Sequence, residues 1–149
     1  MTAPGLPAGA TRGEGVPLSP EVSVCVLVLA DVGLIGACLD SIPAATVLPV
    51  ETVVVANGTP PALLGGLAAR DDIVLVRSPA NLGFAGGNNL AAGCSHGGYL
   101  VFVNDDSVLA PGCIDQLVAR AEGDPSIGAV GCRILSTDGS VQELSLIHI

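Results

Sequence analysis

The sequence contains no lysine and no tryptophan, and its aromatic residues are one tyrosine and two phenylalanines among 149 residues. Its basic residues are therefore five arginines, which are outnumbered by 14 acidic residues and leave a net charge of −9. Because the arginines are scattered along the chain rather than clustered, the composition excludes a nucleic-acid-binding surface. The missing lysine also excludes a P-loop nucleotide site. An acidic protein can still bind a nucleotide where a metal ion and backbone N–H groups supply the positive field.

Long apolar runs and paired cysteines are also missing. The longest run before a charge, residues 22–30, is too short to span a bilayer, and no apolar segment of a signal peptide follows Met1. Five cysteines without a CxxC spacing predict free thiols in a reducing cytosol and argue against a zinc site. We therefore expect no transmembrane segment in this chain and a cytoplasmic location, either free or peripheral at the inner face of the membrane.

Apolar runs alternate with segments of helical spacing along most of the chain. The predicted strands span residues 22–30, 50–56, 73–76, 99–103 and 127–135, and the predicted helices span residues 33–42, 61–69, 88–96 and 111–121. This alternation predicts a three-layer α/β/α sandwich with a mainly parallel sheet. Residues 1–20, rich in Pro and Gly, are expected to be a disordered leader. Residues 21–143 are expected to form one domain, and residues 144–149 to be a tail of doubtful origin.

The apolar strand at residues 99–103 ends abruptly in Asn104, Asp105 and Asp106. In open α/β sheets ligands bind at the carboxyl ends of the strands, and an oxygen-rich cluster of this kind suits Mg²⁺ or Mn²⁺. The alternative is a solvated loop in which Asp106 or Ser107 caps the helix that follows.

A second polar segment, Asn81 to Asn89, contains Gly83, Gly86 and Gly87. Such a glycine-rich loop lets the backbone approach a ligand closely, and the free N–H groups of the helix after it would suit a pyrophosphate. The alternative is a simple turn in which Asn88 caps the helix. A Rossmann fingerprint is excluded, because these glycines follow the third predicted strand and have a different spacing.

Taken in order, the segments NLGFAGGNN, NDDS, PGCIDQLV and GAVGCRIL resemble family 2 glycosyltransferases of the GT-A fold, most of all the bacterial rhamnosyltransferase-like members. The resemblance covers roughly residues 22 to 143. It implies metal-assisted transfer of a sugar, with inversion, from a nucleoside-diphosphate sugar to a glycan or lipid-linked acceptor in cell-wall or polysaccharide biosynthesis. It also implies that Asp106 binds the divalent metal, Mg²⁺ or Mn²⁺. The residues expected to bind the donor are Asp31, Asn57, Asn81, Gly83, Gly86, Gly87, Asn88, Asn104 and Asp105.

The chain departs from this family pattern at three places. The first strand ends in Leu29-Ala30-Asp31 where the family has T-Y-N. Ala56 stands where the family has an acid before Asn57. Asp31 either compensates for that acid or caps the next helix. The third departure is that the family continues with an acceptor-binding half, which this sequence does not contain. The catalytic base is expected beyond the end of this chain, so the chain would hold mainly the donor-binding half and be inactive alone. The alternative function is a non-catalytic or degenerate nucleotide-binding domain.

Overall fold

The computed structural model describes residues 6–29 and 32–142. Within these residues five strands and four α-helices follow one another, and a 3-10 turn at Pro61–Leu63 precedes the second helix. The strands are β1 (Thr11–Arg12), β2 (Val22–Val28), β3 (Val50–Asn57), β4 (Ile73–Ser78) and β5 (Tyr99–Asn104). The helices are α1 (Ile35–Ala45), α2 (Gly65–Ala68), α3 (Gly83–Gly93) and α4 (Cys113–Glu122). The contacts within the chain divide it into two compact units, residues 1–115 and 116–149.

The five strands form one sheet in the order β1-β4-β3-β2-β5. Strands β2 to β5 are parallel, and β1 pairs antiparallel with β4 at one edge. Nearly every residue of β2 and β3 is buried, as expected for strands that are covered on both faces. The predicted α/β class and the mainly parallel sheet are therefore confirmed.

Helices cover both faces of the central strands. On one face, which we call the α3 face, Ala91 of α3 and Cys94 directly after it belong to a buried cluster with Cys25, Val53, Val55, Val74 and Val76. On the opposite face α1 buries Ile35, Cys38, Leu39 and Ile42. The edge strand β5 is different, because Leu100 and Phe102, which point to the α3 face, are both exposed. On the α3 face, α3 therefore covers β2 and β3 but leaves the neighbouring side chains of β5 exposed.

The predicted disordered leader is wrong for residues 6–20. Thr11 and Arg12 form β1, Val16 is buried, and Arg12 Nη1 lies 3.2 Å from a carboxylate oxygen of Glu51. Composition favoured disorder, but pairing with the β4 edge and an ion pair with a buried carboxylate hold this segment in place. Residues 1–5 lie outside the described part of the chain.

Three other predicted elements differ in the structure. The glycine-rich segment is not a loop, because α3 begins at Gly83. Helix α1 continues through Pro43 to Ala45 instead of ending before the proline. Residues 127–135 form no strand in the described part of the chain, where Leu135 makes only an isolated bridge with Val141. That bridge closes a turn at residues 137–140, across which Ser136 N donates to Ser140 O at 2.8 Å.

All five cysteines lie in the described part of the chain and none forms a disulfide, as predicted; Cys25, Cys38 and Cys94 are buried. None of the helices in residues 6–29 and 32–142 is long and apolar enough to cross a bilayer.

Candidate donor-binding cleft

A cleft of about 300 Å³ opens at the carboxyl ends of β2, β3 and β5, beside the start of α3. Strand β2 has β3 on one side and β5 on the other, so the direction in which the chain adds strands reverses at this point. Such reversal points are where open parallel sheets bind their ligands. The cleft is lined by Leu27, Leu29, Asn57, Asn81, Gly83, Phe84, Asn88, Phe102, Val103, Asn104 and Asp105.

The lining combines amide side chains with apolar ones. Four asparagines contribute amides, and both phenylalanines of the sequence contribute rings that remain well exposed, 69% for Phe84 and 52% for Phe102. Of the described residues that line the cleft, Asp105 is the one carboxylate, and no arginine is among them. Any positive field in the cleft must therefore come from backbone N–H groups or from a bound cation.

The start of α3 is held by two asparagine side chains. Asn57 Oδ1 accepts from Leu82 N at 2.8 Å, and Asn81 Oδ1 accepts from Gly83 N at 2.8 Å. Gly83 adopts a φ of +71°, a backbone conformation that favours glycine. In the described part of the chain no acceptor takes up the next two N–H groups, those of Phe84 and Ala85. Two donors of the first helical turn thus remain for a ligand.

Gly87 lets α3 approach the sheet closely. A Cβ atom at this position would lie 2.9 Å from Leu27 Cδ2 and 3.1 Å from Asn57 Nδ2. Gly87 therefore serves packing rather than the cleft, and neither it nor Gly86 is among the lining residues. Asn88 lies inside the helix and its amide donates to Phe84 O, so the alternative in which it caps the helix is wrong.

The two carboxylates after β5 lie at the edge of the cleft. Asp105 lines it, half-buried, and Asp106 is exposed. Burial, and to a lesser extent the charges of Asp105 and Asp106, raise the pKa of the Cys38 thiol on α1 to about 11. Both carboxylates are therefore near the same buried thiol. Helix α4 begins only at Cys113, so the alternative in which Asp106 or Ser107 caps it is wrong.

The described residues contain no group of three or more His, Cys, Asp or Glu side chains placed to hold a metal ion. Two adjacent carboxylates would suit a hard cation whose remaining ligands are phosphate oxygens and water, which is how Mg²⁺ is usually bound beside a nucleotide. The donor set therefore fits a cation that arrives with a diphosphate rather than one caged by the protein.

The structure brings together most of the predicted site residues. Asn57, Asn81, Gly83, Asn88, Asn104 and Asp105 line one cleft, and Asp106 follows directly. Asp31 lies outside the described residues. The sequence analysis missed the apolar lining residues Leu27, Leu29, Phe84, Phe102 and Val103. Phe102 could have been found, because residues two apart on a strand share a face and Asn104 had already been assigned to the site.

The sequence model of "Glycosyl transferase family 2" matches residues 23–147. Among curated proteins, the "O-antigen biosynthesis protein RfbC" of Myxococcus xanthus is 34% identical over 136 residues, which cover 87% of this chain and 10% of that protein. An uncharacterized protein of Mycobacterium tuberculosis (strain CDC 1551 / Oshkosh) is 32% identical over 114 residues, which cover 75% of this chain and 35% of that protein. The chain thus spans little more than a third, or less, of these two relatives.

Solved structures show the same fold. S. aureus TarS 1–349 matches with a TM-score of 0.57 and 20% identity, over 69% of this chain and 32% of that one. The structure of TarS 1–349 in complex with UDP-GlcNAc matches with a TM-score of 0.57 and 19% identity, over 69% of this chain and 31% of that one. At these identities the likeness concerns the fold alone, and it confirms the predicted GT-A-like sandwich.

Proposed function

Since the chain belongs to the family 2 glycosyltransferases, we propose that its cleft binds a nucleoside-diphosphate sugar and that the chain supplies the donor-binding part of a sugar transferase. The observation that carries this proposal is the convergence of Asn104 and Asp105 with the start of α3 in one cleft at the reversal point of the sheet. A donor of this kind needs a planar contact for the base, acceptors for sugar hydroxyls and positive charge for the diphosphate. The cleft offers a group for each.

The charge of the diphosphate would be met in two ways. The N–H groups of Phe84 and Ala85 lie at the amino end of α3, where the helix dipole favours an anion. Asp106, with Asp105 beside it, would hold Mg²⁺ or Mn²⁺ against the diphosphate oxygens. A cation in that position neutralises the charge that develops on the leaving diphosphate. It is needed here because no basic side chain lines the cleft.

The remaining lining residues would bind the rest of the donor. Asp105 can accept hydrogen bonds from hydroxyl groups of the ribose or the sugar, and the amides of Asn88 and Asn104 can both donate and accept. The Oδ1 of Asn81 already accepts from Gly83 N and from Asn57 Nδ2, so Asn81 can only donate to the ligand. Leu27, Leu29 and the rings of Phe84 and Phe102 form the apolar wall against which a nucleobase can lie.

Sugar transfer with inversion requires a general base for the acceptor hydroxyl. Among the described residues, Asp105 is the one carboxylate that lines the cleft, and a carboxylate that is engaged with a cation has a lowered pKa and is a weak base. The base is therefore expected from a part of the enzyme outside the described residues.

The relatives suggest where such an activity belongs. The Myxococcus relative is named for O-antigen biosynthesis, which supports polysaccharide assembly on a glycan or lipid-linked acceptor. The rhamnosyltransferase-like subtype and a location at the cytoplasmic face of the membrane are parts of the same proposal. Because a TarS structure contains UDP-GlcNAc, uridine diphosphate is the first probe to use.

The proposal is tested by calorimetric titration of UDP into the protein with Mn²⁺ and with EDTA. We expect binding with Mn²⁺, at least a tenfold loss in EDTA, and a similar loss in Asp106→Asn. Asp40→Asn, which makes the same acid-to-amide change on an exposed residue of α1, should bind like the unmodified protein. Equal affinity in EDTA would remove the metal from the proposal, and no binding in either buffer would overturn the proposal itself.

One observation favours a non-catalytic nucleotide-binding domain as a second function. Ala56 is buried at the end of β3, paired in register with Val28 and Arg77, where the family pattern has an acid. A longer form of the protein that binds UDP but neither transfers nor hydrolyses the sugar of UDP-sugars would support this alternative.

A further inference from the structure

Asn57, at the end of β3, was expected to bind the donor, but its amide is already engaged with the protein. Its side chain is buried, with 2% of the residue exposed. Oδ1 accepts from Leu82 N at 2.8 Å, and Nδ2 donates to Asn81 Oδ1 and to Gly83 O, each at 3.2 Å. An amide nitrogen has two hydrogens, so Nδ2 keeps no donor for a ligand.

All three partners of Asn57 belong to the three consecutive residues 81–83. These residues directly precede the N–H groups of Phe84 and Ala85. From the side of the sheet, Gly87 brings the second turn of α3 to the same amide, since a Cβ atom there would lie 3.1 Å from Nδ2. Asn57 thus ties the carboxyl end of β3 to the first turn of α3, and it does so with hydrogen bonds that have fixed directions.

We infer that Asn57 is a positioning residue: it holds the amino end of α3 in place for the diphosphate and does not itself contact the donor. The inference rests on the proposed function, because it concerns the phosphate-binding part of that site. It also makes a prediction that the proposed function does not. Loss of the Asn57 bonds should weaken recognition of phosphate while leaving recognition of the nucleoside unchanged.

The test compares the dissociation constants of UDP and uridine, both with Mn²⁺, in Asn57→Asp and in a matched control. Asn57→Asp keeps the size of the side chain and the acceptor for Leu82 N, but it loses both donors and places a carboxylate against two oxygens. Thr59→Val is the control, since it removes a buried 2.8 Å hydrogen bond from Thr59 Oγ1 to Val28 O at the same edge of the sheet, and neither residue belongs to α3.

We expect Asn57→Asp to weaken UDP binding about tenfold and uridine binding less than twofold, while Thr59→Val leaves the ratio of the two constants unchanged. If Asn57→Asp fails to fold, Asn57→Ala is measured instead, and the same change in the ratio is expected. An equal loss for UDP and uridine would overturn the inference and make Asn57 a ligand of the nucleoside. An unchanged ratio in a folded but less stable variant would also overturn it and leave Asn57 a purely structural role. If the unmodified protein binds uridine as tightly as UDP, the inference is wrong. If it binds neither UDP nor uridine, the proposed function is wrong.

Discussion

The two ends of the parallel sheet both carry polar side chains, but they use them differently. At the amino end Glu51 is fully buried, and its carboxylate accepts from Ser23 Oγ at 2.7 Å, from the backbone N–H of His96 and from Arg12 at 3.2 Å. Ser23 Oγ in turn accepts from Gly97 N at 2.8 Å. This network joins β1, β2, β3 and the turn before β5.

At the carboxyl end the polar groups border an open cleft. Asn104 and Asp106 are exposed, Asp105 is half-buried, and two phenylalanine rings stand beside them with more than half of their surface in solvent. A buried charge is tolerated only where protein partners surround it, whereas exposed acids and rings around a concavity retain their capacity for a ligand. The contrast gives Glu51 an architectural role and is consistent with the binding roles proposed for Asp105 and Asp106, although all three are acids at strand ends.

The largest effect is expected from Glu51→Ala. Removing the carboxylate leaves Arg12, Ser23 and the His96 N–H without their partner, and loss of one member of a buried ion pair costs about 3 kcal/mol of unfolding free energy. Urea denaturation measures this, and UDP titration at low denaturant should give an unchanged dissociation constant. A loss of less than about 1 kcal/mol, or a loss of UDP binding in the folded protein, would break the contrast between the two ends.

A matched pair of glycine substitutions on α3 should give changes of opposite sign. Gly87→Ala puts a methyl group 2.9 Å from Leu27 Cδ2 and should lower the free energy of unfolding by about 1–2 kcal/mol. Gly93→Ala meets no atom within 4 Å and should raise it by up to about 1 kcal/mol, because alanine favours the helix. Thermal or urea unfolding of both variants checks the pair, and equal destabilisation would show that the close approach at Gly87 does not matter.

Phe84→Ala tests whether an exposed ring at the carboxyl end of the sheet contributes to binding rather than to stability. The ring is 69% exposed, so its loss should change the free energy of unfolding by no more than about 0.5 kcal/mol. If a nucleobase stacks on it, UDP affinity should fall about tenfold, within the range measured for bases on aromatic side chains. Val108→Ala, which removes another strongly exposed apolar side chain, serves as control and should leave UDP affinity unchanged. Unchanged affinity would show that the ring of Phe84 does not contribute to donor binding.

The smallest effect is expected from the exposed ion pair of Arg70 with Asp72, which lies outside both networks. Hydrogen bonds from Arg70 hold the pKa of Asp72 below its usual value, so the pair stabilises the fold above about pH 4 and loses that contribution as the pH falls through the lowered pKa. Because the pair is exposed, Arg70→Ala should cost less than about 1 kcal/mol at pH 7, and the difference from the unmodified protein should shrink as the pH falls through the lowered pKa of Asp72. A difference that persists at low pH would mean that Arg70 acts through packing instead.

The central strands could be predicted because continuous runs of Val, Leu and Ile leave few other possibilities. Strand β1 could not, since Thr11 and Arg12 lie in a segment rich in Pro and Gly and owe their conformation to β4 and to Glu51, which are distant in sequence. Likewise, glycine disfavours a helix by up to about 1 kcal/mol per residue, so Gly83 to Gly87 predicted a loop. The close approach of α3 to the sheet outweighs that preference.

The polar part of the cleft could also be predicted, because strand ends and the order of motifs placed Asn81, Asn104 and Asp105 on one edge. The orientation of side chains could not. Asn57 was assigned to the donor from its position, yet its amide is turned toward α3, and the exposed rings of Phe84 and Phe102 become visible only when β5 is found uncovered on the α3 face. The orientation and exposure of these side chains depend on which helix covers which strand, and this cannot be predicted from the local sequence.

Amide hydrogen exchange, measured with and without UDP and Mn²⁺, locates the nucleotide most directly. We expect ligand-dependent protection at residues 82–88 and 104–106, with the N–H groups of Phe84 and Ala85 among the most protected, and no change at Ser23, Glu51 or residues 96–97. Protection confined to the amino end of the sheet, or spread evenly over both ends, would contradict the assignment of binding to the carboxyl end.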